Sequence, residues 1–273
     1  MKHGELSHLV CINMMHTMAY PWYSFFKGAI FRPLCLWWFR VKITGIENLP
    51  NGGGYILAAN HLDIGDVAAL PSMVKPHLSF PAKQELFAGK GIGGRIVAWF
   101  MKVTGQTSMD RAGGRASASA LGHLLKVLEK GQVVAIFPEG TRSPDGSLYK
   151  GHTGVARLAL AHGHPVVPVG LINTTLVPST IKIPTMRKAM VVIGKPLDFS
   201  AWKGQQNNHA VLRWVTNEVM AAIQELTGQT YVDVYASRVK KGDLKGADLG
   251  EYMSETPRIE PAPAITSDVE SGE

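Results

Sequence analysis

The sequence predicts an α/β layered fold with a largely parallel sheet flanked by helices, preceded by an N-terminal helical motif that lies in a membrane interface. Three observations carry this expectation. Short β-forming runs alternate with segments of helical spacing from about residue 41 to residue 227, the pattern of a parallel sheet covered by helices. The 45% hydrophobic content of the 273 residues supports a sizeable core. Residues 18–39 gather three of the six tryptophans, two tyrosines and four phenylalanines.

The aromatic stretch is interrupted by Pro21, Lys27, Arg32 and Pro33. A spanning helix needs roughly 20 mostly apolar residues without charges. Residues 18–39 therefore read as one or two interfacial helices, with Trp and Tyr at headgroup depth and Lys and Arg reaching toward lipid phosphates. An aromatic helix packed on the core is the alternative. No small-residue cleavage site follows a compact apolar run, so a signal peptide is not expected.

Residues 41–46 alternate as a strand and lead into the Pro50-Asn51-Gly52-Gly53-Gly54 turn. Residues 55–59 read as a buried strand, 66–74 as helix, 78–82 as strand, and the segment through 101 as helix. An Ala- and Leu-rich helix over 113–130 ends at Gly131, a C-cap candidate. Residues 133–137 form a strand, and 153–163 a helix stopping at Gly163. Two further strands, 166–172 and 190–193, precede a long amphipathic helix over 209–227 that ends before Gly228. From Lys240 onward Gly, Asp, Glu, Ser and Pro dominate, which predicts a disordered polar tail. Three regions result: aromatic membrane-associating helices over 1–39, an α/β domain over 40–239, and a tail over 240–273. No internal repeat occurs.

Charge is unevenly placed. The chain carries +7 overall, but the tail from Lys240 holds eight acidic and four basic residues, so residues 1–239 carry +11. A basic body on an ordinary core suits anionic lipid or phosphorylated substrates. Nucleic acid is not expected, because zinc-finger spacing, an RRM-like motif and long Lys/Arg runs are all missing. Cys11 and Cys35 form neither a disulfide framework nor a metal spacing.

The chemistry centres on His61, which follows the apolar strand 55–59 and precedes a helix. In open α/β sheets, sites form at the carboxyl ends of strands. A neutral imidazole there can take a proton from an alcohol, and a carboxylate on its other nitrogen fixes the tautomer and stabilises the imidazolium. Two carboxylates compete for that role, Asp63 and Asp66. Residues five apart in a regular helix point about 140° away from each other, so His61 and Asp66 meet only if His61 sits in the turn before the helix. Spacing alone does not choose between the two aspartates.

Arg111, in Gly105-Gln106-Thr107-Ser108-Met109-Asp110-Arg111, and Arg142, in Phe137-Pro138-Glu139-Gly140-Thr141-Arg142-Ser143, sit in turns and suit bidentate phosphate binding. Glu139 can bind substrate hydroxyls or hold an arginine. The Glu139-Gly140-Thr141 turn is one place for oxyanion N–H donors. Lys83, after a short strand, is a further anion candidate, while Lys150-Gly151 reads as a strand-to-helix turn. No Gly-x-Ser-x-Gly elbow occurs, so the simplest chemistry is direct attack by a substrate hydroxyl. Gly89-Lys90-Gly91-Ile92-Gly93-Gly94 satisfies G-x-G-x-x-G but lacks a preceding buried strand. His162 and His164 are too close for zinc-helix spacing. Asn173-Thr174-Thr175 fits a glycosylation pattern, although nothing indicates secretion.

Taken together, the His61 block, the Gly105–Arg111 block, the Phe137–Ser143 block and Val166-Val167-Pro168-Val169 occur in the order seen in the glycerolipid acyltransferase family. The sequence resembles its 1-acylglycerol-3-phosphate O-acyltransferases over roughly residues 40–200. The family's His-x-x-x-x-Asp pattern selects Asp66 as the partner of His61. The resemblance implies that Glu139, Gly140 and Arg142, with Thr141 in the same turn, bind the glycerol phosphate. It also implies a phosphate role for Arg111, and a Lys-x-Glu shape like Lys83-Gln84-Glu85 is common in bacterial members. Ser108 and Met109 replace the usual aromatic or aliphatic residues before Asp-Arg.

The implied reaction moves a fatty acyl group from acyl-CoA or acyl carrier protein to the sn-2 hydroxyl of lysophosphatidate, giving phosphatidate, with no metal or organic cofactor. It would proceed on the cytoplasmic face of the cell membrane, against an anionic surface. Within the family the rivals are other acceptors: glycerol-3-phosphate, another lysophospholipid or a glycolipid. Outside it stand a membrane-bound hydrolase that activates water at His61 and a non-catalytic lipid-binding scaffold.

Overall fold

The structure, a computed structural model, describes residues 21–109, 115–180, 182–258 and 260–265. The chain enters as a short helix α1 (Pro21–Phe25) that continues into two π-helical turns, Phe26–Phe31 and Leu34–Trp38. Strand β1 (Lys42–Thr44) and strand β2 (Tyr55–Ala59) follow, then helix α2 (Gly65–Met73), strands β3 (Leu78–Ser79) and β4 (Pro81–Lys83), helix α3 (Gly91–Val103) and strand β5 (Thr107–Met109). Helix α4 (Arg115–Glu129), strands β6 (Val133–Ile136) and β7 (Leu148–Tyr149), helix α5 (Gly154–His162), and strands β8 (Val166–Ile172) and β9 (Met190–Ile193) come next. Helix α6 (His209–Thr227), strand β10 (Tyr231–Val232), helix α7 (Ala236–Lys241) and strand β11 (Met253–Ser254) complete the order.

The main sheet has the order β1-β9-β8-β2-β6-β3. Strand β2 pairs in parallel with both β8 and β6, and β3 in parallel with β6. The departure from an all-parallel sheet is the β8–β9 pair, which is antiparallel and carries β1 alongside β9. Strand β2 shows why both faces are covered: all five of its residues are buried, with Ile56 and Ala58 in one core and Tyr55, Leu57 and Ala59 in the other. The first core packs under α4, α5 and α6. The second packs under α2 and receives Cys35 and Phe39 from the N-terminal segment.

Helix α6 illustrates how local signals fix an element. Asn208 caps it by accepting from the N–H groups of Ala210 and Val211, and Gly228 ends it at φ 66°, a left-handed conformation that glycine adopts without a Cβ penalty.

Two expectations are corrected here. Lys27 does not reach outward toward lipid phosphates. Its Nζ donates to the carbonyls of Val74, Lys75 and Pro76 at 2.6, 2.8 and 3.2 Å. These lie at the C-terminal end of α2, whose orphan carbonyls and negative dipole end attract a cation. Burial, with Arg32 nearby, pulls the Lys27 ammonium down to about 8. The chain beyond Lys240 is also more than a polar tail. Strand β10 pairs with β7 and with β11, and Leu249 joins Tyr149, Val232, Val234 and Ala236 in a small third core. The apolar residues are sparse there, so periodicity does not report them; β11 pairs with β10, and Leu249 packs with Tyr149 of β7, about 100 residues upstream and brought in through β10. Residues 1–20 and the end of the tail lie outside the described residues. Among the described residues, no helix is long and apolar enough to cross a membrane.

Candidate active site

Strand β2 ends at Ala59, and Asn60 and His61 begin the turn into α2. Asn60 is buried and locks that turn to the neighbouring strand. Its Nδ2 donates to the Leu171 carbonyl at 2.8 Å and to Gln229 Oε1 at 2.8 Å, while its Oδ1 accepts from Leu171 N–H at 2.7 Å. His61 therefore stands at the carboxyl end of a central strand, before the first helical residue. That position meets the geometric condition for a five-residue pair: His61 Nδ1 lies 2.8 Å from Asp66 Oδ2.

Asp66 is fully buried, and four donors converge on it. Oδ2 also accepts from Leu62 N–H at 2.6 Å and Asp63 N–H at 2.9 Å, and Oδ1 accepts from the Thr174 hydroxyl. This arrangement suits an ionised carboxylate at a helix N-terminus. Such a group only accepts, so Nδ1 carries the imidazole proton and Nε2 presents its lone pair. The His61 ring stacks on Phe137 at 4.1 Å and 14°, and Phe137 stacks on Phe80 at 5.8 Å and 22°. The side chain keeps 16% exposure, enough to meet a substrate.

Geometry separates the two aspartates that spacing left open. Asp63 Oδ1 takes Arg142 Nη1 at 3.1 Å, and Oδ2 accepts from Leu176 N–H at 3.1 Å. Burial would raise the Asp63 carboxyl, but the N–H groups of Ile64 and Leu176 and the Arg142 guanidinium outweigh it and hold the group below its ordinary range. Arg142 itself is half-exposed on the rim, with its carbonyl accepting from Lys240 Nζ at 2.7 Å.

Glu139 departs from its expected contact with substrate. It is 1% exposed, with Oε1 accepting from His61 N–H at 2.9 Å and Oε2 from Tyr149 N–H at 3.0 Å. Its place at the inner side of the turn after β6 points it at backbone donors, so it positions the histidine main chain. Ser143 N–H completes the clamp by donating to the His61 carbonyl at 2.7 Å. Gly140 is needed for the turn: its φ is 69°, and a Cβ there would sit 2.9 Å from the His152 ring. Its N–H donates to the Phe137 carbonyl at 3.0 Å, which takes that amide out of any oxyanion role. Thr141 is half-buried beside Arg142.

Burial drives the Glu139 carboxyl up to about 8; the two N–H donors oppose the shift and the Asp66 and Asp145 charges add to it. A carboxyl raised in the fold stabilises fully below its unfolded pKa, near 4.5, and that contribution is lost as pH rises through about 8. Glu139→Gln removes the ionisable group and sets an amide N–H against a backbone donor, costing about 1–3 kcal/mol where wild type is protonated. Urea unfolding should show the largest gap between the two proteins near pH 5, narrowing toward pH 9. A gap that widens with pH would contradict the assignment.

Lys83 is the last residue of β4, in register with Met109 of β5. Arg111 lies outside the described residues. Lys150 pairs with Asp233 at 2.9 Å, in keeping with a structural turn. Among the described residues, no group of three or more His, Cys, Asp or Glu side chains is arranged to hold a metal ion. Thr174 is the residue that sequence reasoning missed. It lies 108 residues from Asp66 and follows Asn173, whose φ of 55° turns the chain at the end of β8. The loop also presses its Thr174 carbonyl on Gly65, where a Cβ would stand 2.0 Å from that oxygen.

At the strand ends of a mostly parallel sheet the fold brings together a carboxylate-held imidazole, able to take up a proton, and an arginine-bearing turn, able to pair with an anion. Residues 40–172 match the family model described as Acyltransferase. The 1-acyl-sn-glycerol-3-phosphate acyltransferase of Bacillus subtilis is 32% identical over 159 residues, 58% of this chain and 73% of that protein. The chain belongs to the acyltransferase family. It is also 32% identical over 137 residues to the chloroplastic 1-acyl-sn-glycerol-3-phosphate acyltransferase LPAT1 of Arabidopsis thaliana, 50% of this chain and 37% of that protein. The chain thus matches little more than a third of the chloroplast relative's length. The crystal structure of the 1-acyl-sn-glycerophosphate (LPA) acyltransferase PlsC from Thermotoga maritima superposes with a TM-score of 0.52 at 27% identity, covering 83% of each chain.

Proposed function

We propose that this protein transfers a fatty acyl group from an acyl-CoA or acyl carrier protein thioester to the sn-2 hydroxyl of lysophosphatidate, forming phosphatidate in phospholipid biosynthesis. The observation that carries this reading is the pairing of His61 Nδ1 with buried Asp66, which leaves Nε2 as an open base, while Arg142 is held on Asp63 of the same turn. The names of the relatives, 1-acyl-sn-glycerol-3-phosphate acyltransferases, support the same acceptor.

In this mechanism the acceptor hydroxyl hydrogen-bonds to His61 Nε2. Its oxygen attacks the thioester carbonyl as its proton passes to Nε2, and Asp66 stabilises the resulting imidazolium. The tetrahedral oxyanion collapses, the C–S bond breaks, and the imidazolium returns the proton to the departing thiolate. Arg142 has five donors and gives one of them to Asp63, and others can take the acceptor phosphate. The Arg142→Ala variant should raise the acceptor KM by about 10-fold or more, with a smaller change in kcat. Unchanged acceptor kinetics would move the phosphate elsewhere.

The membrane location belongs to the same proposal. Trp22, Phe25, Ile30, Leu36 and Trp37 of the N-terminal segment are exposed, and residues 1–239 carry +11, which suits the anionic cytoplasmic leaflet of the cell membrane. The deciding experiment supplies labelled oleoyl-CoA, or oleoyl carrier protein, with lysophosphatidate, glycerol-3-phosphate, lysophosphatidylcholine, a phosphorylated glycolipid or water alone. Labelled phosphatidate is the expected product. Another acylated acceptor would change the substrate, and free fatty acid alone would replace the transferase with a hydrolase.

A further inference from the structure

Helix α3 is turned inside out for a helix on a soluble surface. Among its thirteen residues only Ala98 is buried, while Ile92 is 81% exposed and Ile96, Val97 and Trp99 are exposed as well. An ordinary surface helix hides its apolar stripe against the core. The exposed residues are not scattered. Trp99 meets Trp22 at 5.4 Å and Phe26 at 6.0 Å, and Phe100 meets Phe26 at 5.2 Å and Phe31 at 6.1 Å. Two chain segments more than 50 residues apart therefore share one apolar surface, the kind that marks an interaction site.

Charge and length indicate what covers it. No Asp or Glu occurs in residues 21–46 or 88–109, whereas Arg32, Lys90, Arg95 and Lys102 do. Exposed Glu85, on the turn packed against α3, is an acidic neighbour, but the border remains predominantly basic; a protein partner's rim would call for a balance of signs, and basic residues around Trp and Ile match an anionic lipid leaflet. At 1.5 Å per residue α3 is about 20 Å long, short of the roughly 30 Å hydrocarbon core, so it does not span and suits lying in the plane of the leaflet.

We propose that α3 is a second membrane-inserting element, forming with the N-terminal helical segment one platform bedded in an anionic leaflet. This rests on the membrane reading above and extends it to a part of the α/β domain itself. The platform is joined to the site by short routes. Strand β4 leads into α3 from Phe80, the outer ring of the stack under His61, and Trp38 Nε1 donates to the Pro184 carbonyl in the loop that supplies Thr174.

The test uses the full chain and flotation with phosphatidylglycerol/phosphatidylcholine vesicles and with phosphatidylcholine alone. Wild type should partition onto the anionic vesicles, and the double variant Ile92→Glu with Ile96→Glu should lose at least about 30-fold of that partitioning, since two isoleucines leave the lipid and two carboxylates face it. Both positions are exposed, so circular dichroism and the unfolding midpoint should match wild type. As an independent readout, Ile92→Cys in a Cys11→Ser background, labelled with an environment-sensitive fluorophore, should shift blue on vesicles and be quenched by brominated acyl chains; Cys35 is fully buried and escapes labelling. Unchanged partitioning of the double variant with an unquenched label, while Trp37→Glu lowers binding, would overturn the role of α3 and leave the N-terminal anchor standing. Failure of wild type to bind either vesicle would overturn both. A lipid-independent dimer dissociated by the double variant, with no vesicle binding, would assign the surface to a second copy of the chain.

Discussion

His61→Ala is expected to lower kcat by at least about 100-fold, the usual scale for losing a general base, with little change in acceptor KM. The reason is geometric. Nε2 is the imidazole atom left open once Nδ1 is held by Asp66 at 2.8 Å, and its ring plane is fixed by the Phe137 stack at 4.1 Å. Acceptor binding is assigned to the arginine turn, so the loss should fall on turnover. His61 side-chain removal leaves the main-chain bonds to Glu139 and Ser143 in place, and the fold should survive. Purified protein assayed with saturating donor gives the answer; near-normal kcat would remove His61 from the mechanism.

Asp66→Asn should have an effect of similar size for a different reason. Three donors, from His61, Leu62 and Asp63, meet Oδ2, and the Thr174 hydroxyl meets Oδ1. An amide can keep its oxygen toward the three donors and aim its NH2 at Thr174, whose hydroxyl rotates to accept. The histidine tautomer then survives, and stability should fall by only about 1 kcal/mol. What disappears is the negative charge opposite the forming imidazolium, so kcat should still drop by about 100-fold or more. Adding Thr174→Val leaves the amide N–H without that acceptor in a buried position and should cost about 1–3 kcal/mol further in urea unfolding. A wild-type kcat for Asp66→Asn would show that the carboxylate only orients the ring.

The sheet and its helices were largely legible because each is signalled locally. Residues 209–227, capped by Asn208 and stopped by Gly228, show this most clearly, since cap, period and stop all lie within the element. The antiparallel β8–β9 pair was not legible: strand direction is set by the intervening loop, which no periodicity reports. His61 and Asp66 were visible as neighbours, but their distinction from Asp63 required either a family pattern or the position of Arg142. Glu139 was misread because a carboxylate in a turn next to arginine reads as a ligand for substrate, whereas its burial and its bonds to His61 and Tyr149 are tertiary facts. Thr174 carried no signal of its contact with Asp66; the glycosylation pattern it lies within points elsewhere. Likewise, α3 shows an amphipathic sequence, and only the fold reveals that its apolar residues face out.

The central claim is direct proton removal by His61 during transfer, with no acyl group parked on the protein. The measurement that tests it most directly is a single-turnover reaction with labelled oleoyl-CoA, with and without lysophosphatidate, for wild type and His61→Ala. The account predicts no label on the protein at any time, labelled phosphatidate only when acceptor is present, and its loss in the variant. Label bound to the wild-type chain before acceptor is added, or equal phosphatidate formation by His61→Ala, would contradict it.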